Sequence, residues 1–200
     1  MLADSRQGNP YSKGTVRVNT DFSPGDSYTY RKIDRIANEE KSGLTLTITE
    51  IIDDTVIFNK GREVRDLLGN VYKNVAYGEY SGSEGGAAQY YPSEYTLGKR
   101  WTARYTVKGK DGKTWTTEYD FKIAAKEKIT LPSGEFDAFR VEGIGSNTLG
   151  GRLTFTYWAA PDKVRRALVT EFVSTGSKTG RVYVNERYEL TAFKQIKTVN

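Results

Sequence analysis

The sequence predicts an all-β protein whose antiparallel meanders form either a curved, half-open barrel or two packed sheets. Apolar and polar residues alternate with period two along many short stretches, as in strands that bury one face. Turn residues such as Gly, Pro and Asn separate these stretches at regular intervals. No stretch keeps a helical period. We therefore expect about eleven or twelve strands and little helix.

The clearest hairpin runs from Arg100 to Ala125. Its two halves alternate strictly on either side of a turn that contains Gly112. This alternation assigns Trp101 and Trp115 to the same buried face. The rest of the chain repeats the pattern in shorter strands.

The chain divides into a flexible N-terminal arm, residues 1–14, and a single β domain, residues 15–200. A two-fold repeat is suggested inside the domain, with halves at residues 22–76 and 95–195. The strand entries at 25–31 and 98–104 share the pattern Gly-x-x-aromatic-Thr-x-Arg. Alternatively, any strand entry tends to read Gly-polar-aromatic. The halves are joined by a glycine-dense segment, residues 77–95, which we expect to be a long flexible connection because glycine weakens strands.

The composition excludes several kinds of chemistry. The chain has no Cys and no His, which removes disulfides, thiolate and imidazole metal sites, and Ser-His-Asp or Cys-His catalysis. We therefore expect no enzyme and no cofactor or metal. The net charge of +5 is mild and the basic residues are mostly scattered, so we expect no nucleic-acid partner.

Membrane and export signals are also weak. No apolar run reaches the roughly 20 residues of a membrane-spanning helix, and charged outward faces argue against a lipid-facing barrel. We therefore expect a protein that is not integral to a membrane. We also expect it to be a monomer. Residues 1–7 lack the regions of a signal peptide, which leaves a cytoplasmic protein or an exported one whose signal has been removed.

Three segments resemble one group of proteins. Residues 24–31 (PGDSYTYR), 131–141 (LPSGEFDAFRV) and 157–161 (YWAAP) resemble motifs of uncharacterised exported all-β proteins of Gram-negative proteobacteria. The residues after Pro161 depart from the glycine-containing turn that is usual there. The resemblance implies a periplasmic or secreted location and an antiparallel β-fold, and it brings no active site. A more remote likeness is to the periplasmic lipoprotein-carrier architecture, a curved barrel with an apolar concave face.

The glycine-dense segment is the strongest candidate for a binding site. Tyrosine on an adaptable backbone is typical of binding loops, and two tryptophans of the central hairpin could line a pocket beside it. We predict that a lipid or other amphipathic small molecule contacts the following residues: Tyr77, Tyr80, Tyr90, Tyr91, Tyr95, Trp101 and Trp115. The alternatives are a linker whose tyrosines cover a sheet edge, and tryptophans that only fill the core.

One basic cluster, formed by Lys163, Arg165 and Arg166, is a candidate contact for an anionic group. Its alternative is a solvated strand edge protected by charge. The paired carboxylates Glu118 and Asp120 alternate with aromatic residues, so we expect them to face solvent rather than to catalyse hydrolysis.

Together these observations predict a non-enzymatic exported protein of the cell envelope that binds a hydrophobic or amphipathic ligand on a concave sheet face. The alternative is a protein-interaction module without a small ligand, which would contact another envelope protein. The two differ in the core: the first needs a cavity, and the second predicts a solid interior with an exposed aromatic patch.

Overall fold

A computed structural model of the protein describes residues 14–196. It contains fourteen strands and, in that range, one turn of 3₁₀ helix at Ser83–Gly85 as the only helix. The strands are β1 (Val16–Arg17), β2 (Ser27–Asp34), β3 (Glu39–Ile52), β4 (Thr55–Phe58), β5 (Glu63–Asp66), β6 (Val71–Asn74), β7 (Gly78–Ser81), β8 (Glu94–Tyr95), β9 (Arg100–Gly109), β10 (Thr114–Leu131), β11 (Gly134–Asn147), β12 (Gly151–Ala159), β13 (Val169–Gly176) and β14 (Val182–Lys194).

Twelve of these strands form one closed barrel. The order around it is β2 to β7, then β9 to β14, and every neighbouring pair is antiparallel. The ring closes where β7 pairs with β9 and where β14 pairs with β2. The remaining strands, β1 and β8, form a separate two-stranded sheet. The predicted all-β class is confirmed, and the twelve barrel strands match the predicted number. The predicted N-terminal arm lies outside the described residues except for Gly14.

The structure corrects the expectation for the glycine-dense segment. Gly78–Ser81 form β7 and complete the wall, although glycine was expected to prevent a strand here. Gly78 has φ +144°, and a Cβ at this position would lie 2.2 Å from the carbonyl oxygen of Lys108 on β9. Glycine therefore permits the close approach of two strands.

The central hairpin is longer than the alternation suggested. β10 continues as one strand of 18 residues through a register shift between Ile123 and Ala125. Opposite it on β11, Gly143 leaves room for an aromatic ring, because a Cβ there would lie 2.3 Å from the Phe121 ring. Glycine on one strand thus leaves the space that an aromatic ring of the neighbouring strand occupies.

The interior divides into two apolar clusters. The first is lined by β9 to β12 and includes Tyr105, Tyr119 and Phe121. The second lies between β2 to β4 and the connection from β12 to β13, with Tyr28 and Leu168 fully buried. Polar and charged side chains from β5 and from the β12–β13 connection lie close to these clusters.

The two strand entries singled out in the sequence have the same backbone bonding. Gly25 N donates to the carbonyl oxygen of Ile48, and Gly98 N donates to that of Ile123. Each isoleucine N in turn donates to the residue after the glycine, and each isoleucine adjoins a register shift. Both glycines have positive φ. Six barrel strands follow each entry, so these matched details support the two-fold repeat, which stays a prediction.

Candidate functional site

The barrel interior is occupied by the chain itself. Residues 82–93, here called the plug segment, connect β7 to β8 and carry Tyr90 into the first apolar cluster. The ring centroid of Tyr90 lies 5.4 Å from that of Tyr105 and 5.3 Å from that of Phe155. It lies 5.9 Å from the centroids of both Tyr119 and Phe121. The hydroxyls of Tyr90 and Tyr105 are hydrogen-bonded to each other.

Several polar groups hold the plug segment in place. The buried side chain of Asn70 accepts a hydrogen bond from Tyr91 N at 2.7 Å and donates one to Tyr91 O at 3.2 Å. Tyr157 donates its hydroxyl to Tyr90 O at 3.1 Å, and Trp101 donates Nε1 to Gln89 O at 3.1 Å. Side chains of β9, β12 and the β5–β6 turn therefore supply hydrogen bonds to the backbone of the plug segment.

The structure brings most of the predicted ligand contacts together, but as packing partners of one another. Tyr90, Tyr91 and Tyr95 all pack in the first apolar cluster. Trp101 stacks on Phe121 with a centroid distance of 5.2 Å. Two further predicted contacts, Tyr80 and Trp115, also pack against this cluster and are half-buried.

Tyr77 differs from these aromatic residues. It is 53% exposed in the turn between β6 and β7. The concave face that the sequence predicted is thus covered by the residues that were expected to line it.

Around the plug, a charged group is buried in the interior. Glu63 is 4% exposed and lies 2.5 Å from Arg65 Nε and 3.2 Å from Arg166 Nη1. Asn74 donates Nδ2 to the same carboxylate at 3.1 Å. Burial raises the pKa of Glu63, but Arg65 and Arg166 outweigh burial and hold that pKa below its ordinary value.

The neighbouring arginine has a separate partner. Arg165 Nη1 lies 2.6 Å from Asp26 Oδ2, and Asp26 is fully buried. The other oxygen of Asp26 accepts from Ile196 N at 2.6 Å, and Oδ2 also accepts from Ser23 N at 3.2 Å. One ion pair thus joins the entry to β2, the β12–β13 connection and the residues after β14.

These two arginines line a small cleft at one end of the barrel. Four parts of the chain form its apolar walls: the segment after β1, the β5–β6 turn, the plug segment with β8, and the β12–β13 connection. Their lining residues are, in that order, Val18; Leu68; Tyr91 and Tyr95; Pro161 and Val164. Its volume is about 20 Å³, roughly the room for one water-sized group. The cleft combines apolar walls with two arginine residues.

The predicted basic cluster is divided by the structure. Lys163 is exposed, whereas the side chains of Arg165 and Arg166 are 6% and 10% exposed. The arginines are therefore not part of a solvated edge. Their carboxylate partners were missed because Asp26 and Glu63 lie far away in sequence. The apolar residues around the pair, Val164 and Ala167, were the available sign of burial.

Other carboxylates face solvent, as expected. Glu118 is exposed and lies 3.8 Å from Arg104, and Asp120 accepts a hydrogen bond from the Thr102 hydroxyl at 2.7 Å. Within residues 14–196, no cluster of three or more acidic side chains is arranged to hold a metal ion. Over the same residues, no helix is both long and apolar enough to cross a membrane.

Comparisons with known proteins give a fold match without a family. No protein-family model matches the sequence, and no curated protein matches it significantly. The structure is similar to that of a "putative exported protein with YmcC-like fold" from Bacteroides fragilis, with a TM-score of 0.50, 13% identity, and coverage of 90% of this chain and 100% of that one. At this identity the similarity establishes the fold alone.

Two further structures align less well. A "putative lipoprotein" from Parabacteroides distasonis has a TM-score of 0.49 and 11% identity over 90% of this chain and 100% of its own. The "hypothetical lipoprotein YmcC" from Escherichia coli has a TM-score of 0.43 and 10% identity over 86% of each chain. These lower scores add nothing to the fold assignment.

Proposed function

We propose that this protein is a non-enzymatic exported protein of the cell envelope that binds a hydrophobic or amphipathic ligand at the rim cleft rather than inside the barrel. One observation carries the proposal: the interior is filled by the plug segment, whereas the cleft beside it joins apolar walls to buried arginines. The barrel then serves as a rigid support for the cleft.

Export is supported by the motifs at residues 24–31 and 131–141, and the name of the Bacteroides fragilis neighbour agrees with it. The absence of His and Cys supports a non-enzymatic role, because general acid–base and nucleophilic catalysis near neutral pH most often use these residues. The exposed positions of Glu118 and Asp120 also argue against a carboxylate-based hydrolase.

Native mass spectrometry of the protein purified gently from its own host tests the proposal. We expect an excess mass that disappears on unfolding. The variant Leu68→Trp should fill the cleft and remove that mass. Ile36→Trp, at an exposed turn position, is the matched control and should keep it. A bare wild-type protein, or an excess mass that persists in Leu68→Trp, would overturn the proposal.

A second candidate, the protein-interaction module, is favoured by the filled interior that it predicted and by a separate exposed surface. Leu149 in the β11–β12 turn is 63% exposed, and Tyr183 at the start of β14 is 56% exposed. The β13–β14 turn, which leads into Tyr183, lies beside the β11–β12 turn, because Ser177 N donates to Gly150 O at 2.9 Å. Crosslinking in intact envelopes tests this reading: Leu149→Glu should remove a specific crosslinked partner that Leu68→Trp retains.

A further inference from the structure

Buried polar atoms without hydrogen-bond partners are rare among the described residues, and most of them belong to residues that line the cleft. Among residues 14–196 there are three such side-chain atoms, and two of them are Arg165 Nε and Arg166 Nη1. Arg166 Nη1 still lies 3.2 Å from Glu63, so it has an ion pair without an aligned hydrogen bond. Arg165 Nε is a buried donor with no partner on the described chain. Native proteins rarely leave such donors unsatisfied.

The charges around the cleft are equal in number. Three guanidiniums, those of Arg65, Arg165 and Arg166, contact two carboxylates, those of Asp26 and Glu63. A third carboxylate, that of Asp66, lies in the turn that carries Leu68 and accepts from Leu68 N, Asn70 N and Asn70 Nδ2. The group that stays unsatisfied is therefore the Nε donor of Arg165.

The phenol of Tyr30 beside Arg166 does not supply an anion. Burial raises the pKa of Tyr30 although Arg166 opposes the shift, so the phenol stays neutral near neutral pH. An acceptor from outside the described residues would satisfy the free donor, and an anionic acceptor suits a guanidinium best.

We infer that the cleft binds the headgroup of an anionic amphiphile, a carboxylate or phosphate, through Arg165 and Arg166. Planar guanidiniums suit these oxygen anions. The volume of about 20 Å³ takes a headgroup oxygen rather than a whole ligand, so the apolar part must extend along the walls formed by Leu68, Pro161 and Val164. This inference rests on the proposed function and adds the sign of the ligand's charge.

The test uses four probes on the full chain: dodecanoate, dodecyl phosphate, neutral dodecyl maltoside and acetate. The three amphiphiles are kept below their critical micelle concentrations. Binding is measured by calorimetry and by the shift in melting temperature. We expect both anionic amphiphiles to bind at least about tenfold more tightly than the maltoside, since a charge-assisted hydrogen bond is worth about that factor. Acetate should bind weakly because it lacks the apolar chain.

A matched pair of variants at one wall position locates the site. Leu68→Glu places a carboxylate in the cleft and should weaken dodecanoate at least about tenfold while leaving the maltoside nearly unchanged. Leu68→Gln has nearly the same shape without the charge and should keep dodecanoate binding. Arg165→Lys keeps the positive charge near Asp26 but removes the Nε donor, so it should weaken dodecanoate several-fold.

The outcomes separate this inference from the proposed function. If the maltoside binds as tightly as dodecanoate and Leu68→Trp abolishes both, the cleft binds amphiphiles but the charge inference is wrong. If acetate binds as tightly as dodecanoate, the ligand is a small anion and the amphiphile inference is wrong. If dodecanoate binds Leu68→Glu and Leu68→Gln equally, its headgroup lies elsewhere. If no probe binds, the proposed function fails as well.

Discussion

Alkaline pH should unfold this barrel cooperatively, because its core is rich in tyrosine. Six tyrosines are at most 5% exposed, and burial raises the pKa of each phenol above its ordinary value near 10. They are Tyr28, Tyr30, Tyr95, Tyr105, Tyr119 and Tyr157. A raised folded-state pKa gives stability that is complete below the unfolded pKa and is lost as the pH rises above it.

The size of the effect follows from the number of groups. At about pH 11 each phenol ionises freely only in the unfolded chain, which favours unfolding by about 1.4 kcal/mol per group. Six groups give about 8 kcal/mol, comparable with the typical stability of about 5–15 kcal/mol for a domain. The barrel should therefore unfold near pH 11, give or take about half a pH unit.

The assay follows tyrosinate absorbance and near-ultraviolet circular dichroism during one alkaline titration. Both signals should change together in a single steep transition. Tyr119→Phe removes one buried phenol and should raise the midpoint by about 0.2 pH units. Tyr183→Phe, at an exposed position, is the control and should leave it unchanged. Smooth tyrosine ionisation near pH 10 with an unchanged dichroism signal would refute a dry, tyrosine-filled interior.

Three further predictions concern buried groups. Asp26→Ala should lower the free energy of unfolding in urea by about 3–5 kcal/mol, because it leaves the buried Arg165 without its counter-charge. Asp54→Ala, in an exposed turn, should lower it by less than about 0.5 kcal/mol. Equal losses would contradict the buried pair. Tyr90→Ala should cost about 3–5 kcal/mol and open a lumen that binds an apolar fluorescent dye, unlike Tyr77→Ala; an unchanged dye signal would show that the barrel collapses. Glu63→Gln should cost about 3 kcal/mol at neutral pH. Because the pKa of Glu63 is lowered, the extra stability of the wild type decreases as the pH falls below about 4.5. The free energies of unfolding of the wild type and of Glu63→Gln should therefore converge in acid. A difference that stays constant with pH would contradict the ion pair.

Local pattern predicted the strands well where one face is buried. The hairpin of β9 and β10 and the clear alternation near Leu46 and Ile48 match observed strands. The pattern was wrong at Gly78, because a propensity against strands was outweighed by the close contact with β9 that only glycine allows.

The candidate site was only partly predictable. Sequence reasoning selected Arg165 and Arg166 as an anion contact, but it treated them as part of an exposed cluster with Lys163. Arg165 pairs with Asp26 and Arg166 with Glu63, and their burial depends on these carboxylates. In each pair the two residues are more than a hundred positions apart in the sequence. No local pattern contains such a pairing.

The sequence by itself determined the fold class, the turns and the absence of histidine and cysteine chemistry, because these follow from local alternation and from composition. Only the tertiary structure decided that the ring closes at β7 and β9, that Tyr90 fills the lumen, and that two consecutive arginines lie buried beside an apolar cleft. These features arise from contacts between distant segments, and each depends on whether space, charge and hydrogen-bond partners match after the barrel has formed.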